Sequence, residues 1–129
     1  MKKYHKPHIV KAADLDELHH VNNVRYLDWV QQISKEHWEV LTNKAWEQQY
    51  FWVVKRHQIT YYSPALLGEA LILTTYVPEA SGATSKRKVE IRKSQEDGLV
   101  AECLTDWVLI DRQTGKPARI PREMKEIFQ

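Results

Sequence analysis

Between residues 23 and 43, apolar side chains return at every third or fourth position. Tyr26, Trp29, Val30, Ile33, His37, Val40 and Leu41 form one stripe, the pattern of an amphipathic helix with a single face to bury. Asn22 or Asn23 suits the N-cap, because an amide oxygen accepts from the free N–H groups of a first helical turn. After the helix the texture changes. Phe51 to Ser63, Ala70 to Val77, Thr84 to Ser94 and Leu99 to Asp111 are rich in Val, Ile, Thr, Tyr and Trp and read as strands. Breaks fall at Ser63-Pro64, Gly68, Pro78 with Ser81-Gly82, Asp97-Gly98 and Thr114-Gly115. Connections this short predict antiparallel neighbours. Asp97-Gly98 is the clearest hairpin signal, since both residue types tolerate positive φ. Residues 8 to 13 read as a short first strand, and Pro121 to Phe128 as a short closing helix. The expected fold class is therefore α+β, with the helix stripe buried on one face of an antiparallel sheet. Such a sheet, left open, keeps bare edges and a bare face, which predicts self-association.

A chain of 129 residues fits one domain, residues 1–129, with a single core. Its 43% hydrophobic and 28% charged residues are the balance of a soluble globular protein rather than a disordered or fibrous one. No apolar run approaches the roughly 18 residues of a membrane span. Met1 to His8 carries positive charge with no apolar stretch behind it, so a cytoplasmic location is expected rather than secretion. The 19 basic and 17 acidic residues nearly cancel, which argues against nucleic acid as a partner. Cys103, the one cysteine, has no partner for an internal disulfide, and its apolar-rich run predicts a small buried side chain without chemistry.

The densest chemistry lies in Asp14 to Trp29, where acids, histidines and amides precede the helical stripe. Amides around Val21 to Asn23 present free N–H groups at a helix N-terminus, where the dipole also favours negative charge. Taken locally, Asp14 and Asp16 read more readily as acids that favour a helix start than as catalysts. His5 and His8 form an H-x-x-H, but that spacing puts them on opposite faces of a strand with no third ligand nearby, so no metal site is expected. Lys86, Arg87, Lys88, Arg92 and Lys93 make a basic strand on which Lys86, Lys88 and Arg92 share one face and Arg87 and Lys93 the other. A solvated face that discourages edge pairing is one reading of it. An anchor for phosphates is the other.

Asp14 to Trp29 resembles the D-x-D-x-x-(G/Q)-H-V-N-N-x-x-Y-(L/I)-x-W signature of hotdog-fold acyl thioesterases, both the plant acyl-ACP enzymes and the bacterial acyl-CoA enzymes related to 4-hydroxybenzoyl-CoA thioesterase. Ile59 to Ala65 with Gly68-Glu69 is similar to the family's I-x-Y-x-x-P-A-x-x-G-(D/E), Leu99 to Asp111 to its hairpin and last long strand, and Thr114 to Pro121 to the T-G-x-P-x-x-I-P that follows. The resemblance covers about residues 8 to 124 in order.

It implies a long central helix wrapped by a curved antiparallel sheet, and an enzyme that hydrolyses acyl-CoA or acyl-ACP thioesters without a cofactor. By the same resemblance Asp16 is the catalytic base or nucleophile, His20 a second catalytic residue, and the Asn23 amide the oxyanion donor, while Asp14 is structural. Lys86, Lys88 and Arg92 become candidates for the phosphates of coenzyme A or phosphopantetheine. Plant members hold two hotdog units in one chain; room for one here implies a homodimer or homotetramer. Two positions depart from the pattern. Leu18 stands where the plant enzymes carry an asparagine, and His19 where bacterial relatives often carry glycine. The alternative these departures allow is a hotdog protein that binds acyl-CoA without cleaving it.

Overall fold

A computed structural model describes residues 1–129 as β1 (Tyr4–Ile9), a 3₁₀ turn (Ala12–Asp14), α1 (Asn23–Leu41), α2 (Lys44–Gln49), β2 (Tyr50–Tyr61), β3 (Ala70–Ser81), β4 (Thr84–Lys93), β5 (Leu99–Asp111) and α3 (Arg122–Ile127). The five strands form one antiparallel, curved, open sheet in the order β1-β3-β4-β5-β2. This is the hotdog fold, and its class is α+β as expected.

Helix α1 lies on one face of the sheet. Tyr26, Trp29, Val30, Ile33 and His37 of the stripe are buried, and Ser34 joins them. Val30 and Ile33 pack with Leu71, Leu73, Val89, Ile91 and Cys103, which alternate along their strands with outward residues, and with Val100 at an irregularity of the β4–β5 pairing. Of the last two members of the stripe, Leu41 still packs partly buried but Val40 does not. Val40 is 66% exposed, because the chain breaks at Thr42 and starts α2 on the Asn43 cap, whose side chain accepts from the Trp46 amide at 2.8 Å. That short helix was not legible as a separate element. A second apolar cluster of Val77, Leu109, Ile120, Met124 and Phe128, with Trp38, Trp46 and Trp52 against it, closes this end of the molecule through α3.

The strands and their pairing correct three expectations. The first strand is Tyr4–Ile9 rather than residues 8 to 13, and it packs through polar side chains that hide its alternation. The His8 ring lies 4.4 Å from that of Trp29, Tyr4 stacks on His37 at 5.6 Å, and Lys6 reaches Glu36 of α1 at 2.6 Å. Pro7 is tolerated because β1 is an edge strand. Strand β2 is not a neighbour of β3, its successor in sequence; it crosses to the far edge and pairs with β5, Tyr50 opposite Asp111. The tight hairpin is Ser81 to Thr84, with Gly82 at φ 61°, whereas Asp97 alone takes positive φ (53°) in a longer β4–β5 connection.

His37 is 2% exposed and accepts from Arg87 Nη1 at 2.8 Å. Burial, then the charges of Arg87 and Lys2, lower its pKa to about 4. The unfolded chain, with a histidine near 6.5, binds the extra proton first, so the stability conferred by neutral His37 is complete above about pH 6.5 and is lost as pH falls toward 4. Thermal midpoints measured across that interval are expected to fall with acid, and His37→Gln is expected to flatten the slope. An unchanged slope in the variant overturns the assignment.

Candidate active site

The segment between β1 and α1 is held by Asp14, which is 6% exposed. Its Oδ2 accepts from His8 Nε2 at 3.0 Å and from the Lys11 amide at 2.9 Å, its Oδ1 lies 3.3 Å from Arg25 Nε, and its carbonyl accepts from the Asn22 amide. Burial alone raises the pKa of this carboxyl, but the Lys11 amide, His8 and Arg25 together bring it below the ordinary value. Every polar group of Asp14 is engaged in anchoring the helix entrance, the structural role expected of it.

Asp16 is different. Its Oδ1 accepts from the Leu18 amide at 2.8 Å and the His20 amide at 3.2 Å, and its backbone closes the same turn by donating to the His20 carbonyl and accepting from the His19 amide. The turn needs a left-handed residue, and His19 supplies it at φ 61°. This accounts for a position that favours glycine: the demand is conformational, not one of close approach to a ligand. Leu18 and His19 both point to solvent, and Leu18 contributes its amide to Asp16. Relief of the left-handed strain in His19→Gly is expected to raise the unfolding free energy by about 0.5–1 kcal/mol, read by chemical denaturation, with kcat unchanged. A loss of stability in that variant contradicts the account.

Asn22, not Asn23, caps α1. Its Oδ1 accepts from the Val24 amide at 3.0 Å and its carbonyl from the Arg25 amide at 2.8 Å. The Val21 amide donates to the Ala65 carbonyl and the Asn22 amide to Asp14. Of the amides from Val21 to Arg25, only that of Asn23 is left without an acceptor, so the expected cluster of free donors reduces to one N–H at the positive end of the helix.

Asp16, His20 and Asn23 line one cleft of about 280 Å³, with Val21, Tyr26, Tyr61, Tyr62, Ser63 and Pro64 as its other walls. The fold brings these three side by side. Tyr61 and Tyr62 were not singled out as site residues, although the Ile59 to Ala65 motif contains both. Tyr61 packs on Tyr26 at 5.6 Å, while the Tyr62 hydroxyl donates to Glu102 Oε1 at 2.7 Å. A cleft with a carboxylate, a free amide and aromatic walls suits hydrolytic attack on a carbonyl attached to an apolar group.

Lys86, Lys88 and Arg92, three of the five cations of β4, stand elsewhere, on the sheet face turned away from α1. Lys88 lies 3.5 Å from Glu102, and so next to Tyr62, whereas Arg92 is held by Glu90 at 3.0 Å and Lys86 is exposed. Six residues of strand separate Lys86 from Arg92, about 20 Å, too far for one phosphate. Cys103 is buried as expected; burial pushes its thiol pKa up and keeps it protonated.

Residues 10–128 match the family model of the thioesterase-like superfamily. The chain belongs to that superfamily. Its chemistry is the hydrolysis of thioesters. This thioesterase is 30% identical over 122 residues to the long-chain acyl-CoA thioesterase FadM of Escherichia coli strain K12, covering 91% of the present chain and 90% of the relative. Among solved structures it is similar to the probable thioesterase YbaW of Escherichia coli, at 28% identity and a TM-score of 0.84 over 95% of this chain and 94% of that one. The 1,4-dihydroxy-2-naphthoyl-CoA thioesterase Slr0204 of Synechocystis shares the fold at 18% identity, with a TM-score of 0.85 over 98% and 96% of the two chains. No helix of this thioesterase is long and apolar enough to cross a membrane.

Proposed function

We propose that the protein hydrolyses acyl-CoA thioesters, with long-chain substrates the first to test in view of the FadM relative. The observation that carries the reading is the pairing, in one cleft, of the Asp16 carboxylate with the one unclaimed amide at the start of α1, that of Asn23. Asp16 Oδ1 is fixed by two amides, so its other oxygen serves as the base toward a water or as the attacking atom. When water attacks, Asp16 takes its proton, a C–O bond forms at the carbonyl carbon, and the Asn23 N–H stabilises the oxyanion. The C–S bond then breaks and the sulfur leaves as thiol with the returned proton, giving a free acid and coenzyme A. The His20 ring, exposed at the cleft, is assigned to hydrogen bonding with the thioester carbonyl or the water.

Lys86, Lys88 and Arg92 remain our candidates for the phosphates of the carrier, and Lys86 is the one not held by a carboxylate. The unpaired edges of β1 and β2 support a homodimer or homotetramer. A panel of acyl-CoA thioesters from acetyl to oleoyl, run beside acyl-ACP and followed by thiol release, is the direct test. Turnover of acyl-CoA above the uncatalysed rate is expected, and its absence across the panel retracts the assignment. Sedimentation that returns a monomer at micromolar concentration would retract the oligomer.

A further inference from the structure

A second cavity is larger than the Asp16 cleft. A space of about 640 Å³ opens between the C-terminal half of α1, α2, β2 and the adjoining part of the sheet, within the size range of small-molecule sites, and it shares no residue with the Asp16 cleft. Its apolar walls include Trp38, with Trp52 and Phe128 each packed on its ring.

Arg87 lines this cavity and is 4% exposed. A buried guanidinium is ordinarily matched by a carboxylate, because removing an unpaired charge from water is costly. Arg87 has none. Its Nη1 donates to Thr75 Oγ1 at 3.1 Å and His37 Nδ1 at 2.8 Å, both neutral acceptors, and its remaining N–H groups find no acceptor in the chain. Burial lowers its pKa only to about 10, so the charge persists at neutral pH. Trp107 lines the same cavity, and its Nε1 is the one buried side-chain polar atom in the molecule without a hydrogen-bond partner. Arg87, a buried cation backed by the Phe128 ring at 5.8 Å but by no carboxylate, and Trp107, the orphaned buried donor, thus line one cavity. Around the opening, Lys35, Lys44 and Arg112 outnumber Glu39 and Glu47, so the local field is also positive.

We propose that this cavity is a second ligand site, for an organic monocarboxylate whose apolar or aromatic body rests on the tryptophan walls while its carboxylate accepts from Arg87 and Trp107. Two buried donors, one of them cationic and without a carboxylate partner, call for an anionic acceptor, the planar guanidinium matches a carboxylate, and aromatic walls call for more than a bare ion. The inference stands apart from the reading of the Asp16 cleft, whatever reaction that cleft performs.

Calorimetric titration of the full chain with octanoate and 2-naphthoate, beside 1-octanol and sulfate, tests it. At least one carboxylate is expected to bind saturably at one site per chain and at least about tenfold more tightly than either control, the size of a lost charge-assisted hydrogen bond. Arg87→Met is expected to weaken binding at least about tenfold while thioester turnover persists, and Asp16→Asn to leave it unchanged. Should Arg87→Met not fold, Trp107→Phe, which removes only the orphaned donor and keeps an aromatic wall, is expected to weaken binding about threefold or more. The proposal is overturned if neither acid binds, if octanol or sulfate binds as well as the acids, if the foldable variants bind like the parent, or if Asp16→Asn abolishes binding and so places the acid in the Asp16 cleft.

Discussion

Asp16→Asn is expected to lower kcat for the best acyl-CoA at least about 100-fold, the ordinary consequence of losing a positioned base or nucleophile. The substitution is mild for the fold. Asparagine keeps an acceptor oxygen for the Leu18 and His20 amides, so the turn survives while the carboxylate's basicity is lost. Thiol-release kinetics with a matched melting curve check both halves. An Asp16→Asn enzyme that melts normally and hydrolyses its best substrate at the parent rate removes Asp16 from the mechanism.

The second large effect concerns a backbone atom. Asn23→Pro deletes the unclaimed N–H, and kcat is expected to fall about 10²–10³-fold, the range seen when one oxyanion donor is removed. Proline is normally ruinous in a helix, but at its first residue the missing N–H has no helical acceptor and the fixed φ is already helical. Asn22, at φ −62° and ψ 134°, occupies the extended region that a following proline requires. Asn23→Ala, which keeps the amide, is the companion variant and is expected to retain most of the activity. If the proline variant is folded and fully active, or the alanine variant is as impaired as the proline one, the oxyanion assignment to the Asn23 amide fails.

The sequence states some parts of this molecule openly. The stripe from Tyr26 to His37 shows itself because one helix face meets an apolar sheet and the other meets water. The β4 alternation is legible for the same reason, and it correctly separates Arg87 from Lys86, Lys88 and Arg92. Strand β1 is obscured because its inward residues are Tyr4, Lys6 and His8, which bury stems and rings while keeping polar atoms engaged with α1. The crossing of β2 to the far edge leaves no local trace, since register with β5 is decided by residues about forty to sixty positions away. In the candidate site, the types and spacing of Asp16, His20 and Asn23 were readable through the resemblance. What the sequence withheld was which amide stays free, because that follows from Ala65 and Asp14 taking the two before it. Arg87 read as one cation of a basic strand, on the face it shares with Lys93, and its burial is what the sequence did not mark.

The sheet order has a consequence for the growing chain. Both edge strands are held by partners distant in sequence, Tyr4 opposite Thr75 and Tyr50 opposite Asp111. The meander β3-β4-β5 can close locally, but β2 must wait as an unpaired strand until residue 111 has been made, and α1 with its apolar stripe waits longer than either for a finished surface. During synthesis the apolar face of the helix is therefore exposed while most of the chain is still to come, so the nascent protein has a stronger claim on chaperones than its modest length suggests.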